Sequence, residues 1–503
     1  METTPVDSMM RKYMDQQGFF QPPHAWVGDV IPWQEDGTFH LFYLYESRRN
    51  PSAGMPWHRV VTDNLVDFRE TGVALASGGP DAADFNVYTG SIVVDAEGIH
   101  HAFYTGQNPR RLGADGRPLQ LVLHATSRDG MATWKRHSEH TFGATPGYET
   151  ADWRDPFVFR DEEAGLWRML VTARHSSGPA RRRGVIAQCV SRDLRHWAAA
   201  EPFWDPRRYL AHECPEVFEW NGWWYLVWSE FSESFSTRYR MSRSLHGPWV
   251  APDNDTLDGR AYYAAKSAAR DGRRFFFGWI STRDGRTDDG PWQWAGTLAV
   301  LEAEQAPDGT LRFHPPQEVS TTFDAPIAAL SPATTLEAPG GYADLVLPER
   351  VPSSFKVDAL LDITAGTTEC GVLLRASMDG DEAYVLRLEP RRGRLVFDRW
   401  PRRHTGDEQW QISGDVPFAV ELERPVALPP GEHRLEVIVD GELCVATVDG
   451  AVSLSTRLYD RTTGHVGAFV GEGKVSVRSL TVTTRRASGE AQPRLPGALA
   501  ATV

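Results

Sequence analysis

The chain has 503 residues, a formal net charge of −14, and 41% hydrophobic against 24% charged residues. This length exceeds that of a usual single domain, and the composition is that of an ordinary globular protein with room for more than one core. The acidic surplus argues against a nucleic-acid partner, because no basic surplus exists to replace the counterions of phosphates.

Membrane, leader and metal signals are weak throughout the chain. No apolar run reaches the roughly 18 residues of a membrane span, and the N-terminus lacks the apolar core of a signal peptide. We therefore expect no membrane partner and a cytoplasmic protein, or a secreted one if a natural leader has been removed. Four scattered cysteines without a Cys-x-x-Cys pair fit a reducing compartment or plain burial. No metal-ligand spacing or phosphate loop is present, so we predict neither metal nor cofactor; homo-oligomerisation stays open.

An aromatic-rich strand recurs five times along the first three fifths of the chain, after an N-terminal arm over residues 1–20. Turn pairs such as Asp36-Gly37, Asn221-Gly222 and Asp271-Gly272 stand before these strands, as hairpins require. The period predicts a five-bladed β-propeller over residues 21–320. Its aromatic strands are His40–Glu46, His100–Gly106, Leu166–Ala173, Trp223–Glu230 and Arg274–Ser281.

The remainder of the chain reads differently. A stretch rich in Pro, Ala and Thr predicts a linker over residues 321–340. Short alternating strands with Asp440-Gly441 and Asp449-Gly450 turns then predict a β-sandwich over 341–485. Residues 486–503 read as a disordered tail. The fold class is therefore all-β, a five-bladed propeller followed by a C-terminal sandwich.

Three acids precede aromatic strands by a similar interval: Asp29, Asp155 and Glu213. The first strand of each propeller blade lines the central axis, so acids in matching positions converge on one pocket. Cleavage of a glycosidic bond needs two carboxyl groups on either side of that bond. A turn carboxylate or an ion pair would explain any one of them, but three in one register favour a catalytic site.

The sequence resembles glycoside hydrolase family 32, the invertases, levanases and inulinases. The resemblance rests on an ordered set of motifs: Trp26 to Asp29, Trp57, Tyr88-Thr89-Gly90-Ser91, Arg154-Asp155-Pro156, Glu213-Cys214-Pro215, Tyr263 to Lys266, Gly278-Trp279-Ile280 and Trp294-Ala295-Gly296. It implies that Asp29 is the nucleophile, Glu213 the acid/base, and Asp155 the residue that stabilises the transition state.

The same motifs suggest residues that bind the sugar, and aromatic members of the set could equally be core. Glu46 joins them as a replacement for a missing amide, or is a solvated carboxylate at a strand end. The predicted substrate-binding residues are Trp26, Glu46, Trp57, Tyr88, Ser91, Arg154, Tyr263, Trp279 and Trp294.

Two positions depart from the family pattern. Gly28 precedes Asp29 where the family usually has Asn, and Leu44 stands where it usually has Gln. The expected activity is removal of terminal β-fructofuranosyl units from fructo-oligosaccharides, fructans or related fructosides with retention, with sucrose a poor substrate. The alternatives are a fructosyltransferase, a hydrolase of another furanoside, including the inverting kind, and a catalytically silent carbohydrate-binding protein.

Overall fold

The structure, a computed structural model, describes residues 17–402 and 420–486. The predicted arm and tail therefore lie almost wholly outside the described residues. Within these ranges the chain forms 31 strands, the four-residue helix α1 (Gln317–Ser320), and three 3₁₀ turns at Ser138–His140, Ala180–Arg182 and Asp284–Arg286. None of the described helices is both long and apolar enough to cross a membrane.

Five antiparallel blades follow one another along the chain, and the first strands of neighbouring blades contact each other around a closed ring. Blade I contains β2 (Trp26–Glu35), β3 (Thr38–Glu46), β4 (Trp57–Thr62) and β5 (Arg69–Leu75); blade II contains β6 (Asn86–Val94), β7 (His100–Leu112), β8 (Pro118–Ser127) and β9 (Lys135–Arg136); blade III contains β10 (Tyr148–Asp161), β11 (Leu166–His175), β12 (Gly184–Ser191) and β13 (Ala198–Trp204); blade IV contains β14 (Glu213–Trp220), β15 (Trp223–Glu230) and β16 (Ser236–Ser242); blade V contains β17 (Tyr262–Arg270), β18 (Arg273–Arg283), β19 (Trp292–Gln305) and β20 (Leu311–His314).

The ring closes between its last and first blades. Strand β1 (Phe19–Phe20) pairs with β19 of blade V, although it precedes blade I in the chain. Gly296 of β19 also pairs with Val27 of β2. Backbone pairing between the two ends of the propeller segment thus closes the ring of blades around the central axis.

Turn residues set the hairpins within the blades. Asp36-Gly37, Asn221-Gly222 and Asp271-Gly272 all have positive φ at both positions, as the two-residue turns that match strand twist require. The predicted hairpins are confirmed at these three places.

A second repeated turn follows the third strand of three blades. The hydroxyls of Thr62 and Ser191 accept the backbone N–H of Leu65 and Leu194 at 2.9 and 3.0 Å. Both leucines have positive φ and are fully buried. The hydroxyl thus stabilises a strained backbone whose apolar side chain anchors the turn, and Ser127 with Met131 repeats the arrangement at 3.0 Å.

The second domain is a β-sandwich built on one long strand. Strand β31 pairs through its first part with β24 and through its second part with β23, so both sheets share it. The strands are β21 (Ala325–Ala329), β22 (Thr334–Val346), β23 (Ser354–Ile363), β24 (Glu369–Ala376), β25 (Ala383–Glu389), β26 (Arg394–Trp400), β27 (Leu422–Pro425), β28 (Gly431–Asp440), β29 (Leu443–Val448), β30 (Val452–Arg457) and β31 (His465–Thr484). Strand β23 alternates buried and half-buried residues along its whole length, because one face meets the core.

The segment expected to be a linker, 321–340, instead contributes strands to the sandwich. Strand β21 and the first part of β22 pair with β31. Pro326 is tolerated because β21 lies at an edge, and Pro339 falls in the register shift between Ala338 and Tyr342. The composition that suggested a loop is therefore that of an edge strand and a bulge.

The sandwich is locked against the propeller by buried polar contacts. The Arg457 guanidinium, 2% exposed, donates to the carbonyls of Ser281 and Ile280 in blade V at 2.6 and 2.7 Å. Asp258 accepts the backbone N–H and hydroxyl of Ser455 at 2.8 and 2.7 Å. The sandwich thus braces blades IV and V from outside and leaves the mouth of the axis to the blades.

Candidate active site

Each innermost strand carries an irregularity at the same level of the propeller. The ladder between first and second strands shifts register within Val27/Val30, Tyr88/Gly90, Arg154/Phe157, Glu213/Glu216 and Tyr263/Lys266. Such bulges re-aim side chains and occur next to active sites. All three predicted acids lie in or beside one of these bulges, which is how they leave the regular in-and-out alternation and face one pocket.

The pocket has a volume of about 440 Å³. Its lining residues come from all five blades and include all three acids: Asp29, Leu44, Glu46, Met55, Tyr88, Thr89, Gln120, Ala151, Asp152, Arg154, Asp155, Glu213, Phe231 and Trp294. Phe231 and Trp294 are 42% and 38% exposed, so two aromatic rings stand at the mouth. Apolar rims around converging polar groups are typical of sugar sites.

Asp29 is held from three sides. Its Oδ2 accepts the Thr89 hydroxyl at 2.5 Å and faces the Cys214 thiol at 3.6 Å, while its Oδ1 accepts the Trp279 indole N–H at 3.1 Å. Burial and the nearby Asp155 raise the pKa of Asp29, and these hydrogen bonds lower it. The result is an oriented carboxylate with little water around it, which suits a nucleophile.

Asp155 is fixed even more tightly, with 3% of its surface exposed. Its Oδ2 accepts the backbone N–H of Cys214 at 3.0 Å and the Thr172 hydroxyl at 3.1 Å. Its own N–H donates to Thr105 Oγ1 at 2.7 Å, and its φ is +57°. A strained backbone held by its neighbours is typical of functional positions.

Glu213 lies between a cation and a phenol. Arg154 Nη2 donates to its Oε1 at 3.1 Å, and the Tyr263 hydroxyl donates to its Oε2 at 2.7 Å. Burial raises the pKa of Glu213 to about 7, with Arg154 and Tyr263 opposing and Asp155 and Asp29 adding to the rise. A carboxyl that is half protonated near neutral pH can both give and take a proton.

Tyr263→Phe should move the alkaline limb of the kcat/KM profile to higher pH. The phenol hydrogen bond lowers the pKa of Glu213, so its loss lets burial raise that pKa further. The ring stacks on Phe235 at 4.0 Å and is retained in the variant. Initial rates between pH 5 and 9 measure the limb. Tyr239→Phe is the matched control, because this tyrosine of blade IV loses a hydroxyl that accepts the Leu311 N–H of blade V. An unmoved or lowered limb in Tyr263→Phe would contradict Glu213 as the group that titrates in this limb.

The two departures at Gly28 and Leu44 have one structural cause. A Cβ placed on Gly28 would lie 2.5 Å from Cη2 of Trp294 and 2.9 Å from Cβ of Leu44. The indole of Trp294 therefore occupies the space that a side chain at position 28 would need. Where the family pattern has Asn at position 28 and Gln at position 44, this pocket instead presents the indole of Trp294.

The predicted substrate-binding residues divide into groups. Glu46, Tyr88, Arg154 and Trp294 line the pocket. Tyr263 and Trp279 are 2% and 0% exposed and contact Glu213 and Asp29 from behind.

The other three predicted residues lie away from the pocket surface. Trp57 is fully buried and donates its indole N–H to the Tyr88 carbonyl at 3.0 Å. Ser91 is buried between blades II and III, where its hydroxyl donates to the Pro156 carbonyl at 2.9 Å. Trp26 lies under the guanidinium of Arg48 at 4.0 Å. These side chains pack around the site without lining the pocket. The sequence could not separate them from pocket-lining residues, because both kinds face inward in the same strand register.

Several residues in or directly beside the pocket were not predicted. Thr89 and Cys214 lie inside quoted motifs, one residue from the predicted positions, so the motifs contained the signal. Cys214 contacts both Asp29 and Asp155 and adjoins Glu213, which makes it the link among the three acids. Gln120 and Phe231 lie outside every motif.

All four cysteines are buried and unpaired. No disulfide therefore constrains the domains.

A five-bladed propeller with three carboxyl groups at its axis and a β-sandwich behind it is the architecture of a class of glycoside hydrolases. The family model of the glycosyl hydrolases family 32 N-terminal domain matches residues 19–315, more than half of the chain. The chain belongs to this family.

Curated and structural relatives agree with this placement. The chain is 28% identical over 208 residues to the cell wall isozyme of β-fructofuranosidase from Zea mays, covering 40% of this chain and 34% of that protein. It is 27% identical over 326 residues to sucrose-6-phosphate hydrolase from Escherichia coli, covering 60% and 64%. The matched part thus spans less than two thirds of each relative. The exo-inulinase from Aspergillus awamori shares the fold with a TM-score of 0.74 at 19% identity, over 94% of this chain and 99% of that one.

Proposed function

We propose that the protein is a retaining glycoside hydrolase that removes terminal β-fructofuranosyl units from fructo-oligosaccharides, fructans or related fructosides. The observation that carries the proposal is the pairing of Asp29, oriented by three contacts, with Glu213, whose pKa is raised to about 7, in one pocket. A nucleophile and a proton donor with separated roles are what two-step glycoside cleavage requires.

The first step forms a covalent glycosyl-enzyme. An Asp29 oxygen attacks the anomeric carbon of the furanose while the bond to the leaving oxygen breaks, and that oxygen takes the proton of Glu213. In the second step a water attacks the same carbon, gives its proton to Glu213 and releases Asp29. Asp155 accepts ring hydroxyls and stabilises the positive charge that develops at the anomeric carbon.

The names of the relatives support a fructoside as the substrate, since they include a β-fructofuranosidase and an exo-inulinase. The pocket supports a small terminal unit, because its mouth is framed by two aromatic rings and its base is closed by buried residues.

A substrate panel tests the proposal. Sucrose, kestose, inulin, levan and an arabinofuranoside are incubated with the protein, and products are resolved by chromatography. Fructose released from the fructosides, with the β-anomer seen first by NMR, is the expected result. Release of arabinose alone, or an inverted anomer, would overturn it, and longer oligosaccharides would identify a transferase.

Glu46 should contribute to substrate affinity rather than to the chemical step. It lines the pocket beside Leu44, where a polar contact is missing, and its Oε1 accepts the backbone N–H of Arg48. Glu46→Gln should raise the KM for kestose several-fold with kcat nearly unchanged. Glu35→Gln, at the far end of blade I, is the control, and equal KM values in both variants would contradict the role.

Sucrose should be a poorer substrate than kestose for the wild type. Trp294 replaces the polar groups expected around the fructosyl ring and offers a face on which a further sugar can stack. Trp294→Ala should therefore lower kcat/KM for kestose more than for sucrose, as measured by initial rates with each. Equal losses for both substrates would show that the indole does not distinguish them.

A further inference from the structure

Blade II carries a cluster of imidazoles that the active site does not use. The rings of His124, His137 and His140 form a nearly equilateral triangle with centroid separations of 5.1 to 5.2 Å. His124 lies on β8, and the other two lie in and beside the 3₁₀ turn that follows β9. Gln120, which lines the pocket, precedes His124 on β8 by four residues, so the cluster lies roughly 13 Å along the strand from the pocket wall.

A chain of hydrogen bonds fixes the tautomers. His101 Nε2 lies 3.1 Å from Asp95 Oδ2 and donates to it, so His101 Nδ1 accepts the Nε2–H of His124 at 2.9 Å. The Nδ1 of His124 is then an unprotonated nitrogen, and it faces Nδ1 of His140 at 2.9 Å. Carboxylate-to-histidine relays of this kind orient metal-ligating imidazoles.

The facing atoms are metal donors. One ligand atom each of His137, Glu139 and His140 lies within 4.8 Å of the others, and His137 Nδ1 is 3.2 Å from Glu139 Oε1.

We propose that His137, Glu139 and His140 form a binding site for a divalent transition metal such as Zn²⁺. His124, whose Nδ1 lies 2.9 Å from Nδ1 of His140, is the proposed fourth ligand and ties the 3₁₀ turn to β8. Three imidazoles and one carboxylate match the donor preference and the four-fold coordination of Zn²⁺. Arg195 of blade III faces the cluster and opposes a cation. The negative charge of the Glu139 carboxylate offsets the positive charge of Arg195. The site lies on the outer part of the blade, so its role is structural rather than catalytic.

Zinc binding to untagged, EDTA-stripped protein tests the proposal by titration calorimetry, and Co²⁺ substitution reports the geometry by its visible absorption. The wild type should bind one Zn²⁺ per chain, and Zn²⁺ should raise its Tm. His140→Gln and Glu139→Gln should each weaken affinity by at least about tenfold. Glu139 is 65% exposed in its side chain, so its variant can be expected to fold even if His140→Gln does not.

His196→Gln is the matched control, because His196 is a nearby histidine that pairs with Asp193 and is 86% exposed. It should bind Zn²⁺ as the wild type does. Absence of Zn²⁺ binding by the wild type, or wild-type affinity in Glu139→Gln, would overturn the site. These readouts do not depend on turnover, so they fail or succeed independently of the proposed hydrolase activity.

Discussion

Asp29→Asn is expected to lower turnover by at least about three orders of magnitude while leaving thermal stability equal or higher. The amide keeps the shape of the side chain but cannot attack an anomeric carbon. Burial and Asp155 raise the folded pKa of Asp29 above its unfolded value, so the stability that its protonated form contributes is lost as pH rises through the folded pKa. The wild type loses that contribution once Asp29 is ionised, as the nucleophile must be, and a neutral amide at position 29 does not lose it.

Asp161→Asn is the matched control, because Asp161 lies on the same strand as Asp155 but outside the pocket. Burial works to raise its pKa, but the Ala164 N–H at 3.0 Å and the Arg168 guanidinium at 2.6 Å lower it overall. Its ionised form therefore stabilises the fold above its unfolded pKa, and that stability is lost as pH falls. Asp161→Asn should lower Tm at pH 7 and keep turnover.

Initial rates on kestose and thermal melts at pH 7 separate the two variants. Opposite effects on rate and stability would assign Asp29 to chemistry and Asp161 to structure. A rate in Asp29→Asn above about a tenth of the wild-type rate would remove Asp29 from the mechanism.

Periodicity predicted the blades because their strands and turns repeat locally. Asp36-Gly37 and its counterparts adopt positive φ at both positions, and residues of these types favour that conformation. Each hairpin turn is therefore encoded by a few consecutive residues. The three acids occupy matching positions in this repeat, which predicted that they meet at the central axis of the propeller. Residues such as Trp57 could not be placed so well, since a wall position and a core position share one strand period.

Contacts distant in sequence were beyond prediction. Trp294 packs against Gly28, although the two residues lie near opposite ends of the propeller segment of the sequence. No local pattern around either residue predicts this contact. The imidazole cluster was missed for the same reason: His101, His124 and His140 are each unremarkable alone and are assembled by two strands and a turn. Strand β21 was mistaken for a linker because its proline is permitted only by its edge position.

Glu213→Gln is expected to lower turnover on fructo-oligosaccharides by about two to four orders of magnitude and to abolish the alkaline limb of the pH profile near pH 7. In the wild type, kcat/KM should fall as pH rises through the pKa of Glu213, because only the protonated carboxyl can donate to the leaving oxygen. The amide donates no proton at any pH, so the limb disappears. Glu216→Gln, a buried carboxylate on the same strand that receives the Ser267 N–H at 2.7 Å, should keep the limb.

An aryl fructofuranoside with an acidic phenol separates the two duties of Glu213. Such a leaving group needs no proton, so the first step in Glu213→Gln should lose far less rate than with an oligosaccharide. The second step still lacks its base, so the glycosyl-enzyme on Asp29 should accumulate, with a burst of phenol followed by a slow steady state. Azide, which attacks without giving up a proton, should restore the steady rate and yield a fructosyl azide of retained configuration. Equal losses on both substrates, with no burst and no azide effect, would show that Glu213 is not the acid/base, and the carboxyl with a pKa of about 7 would then need another role.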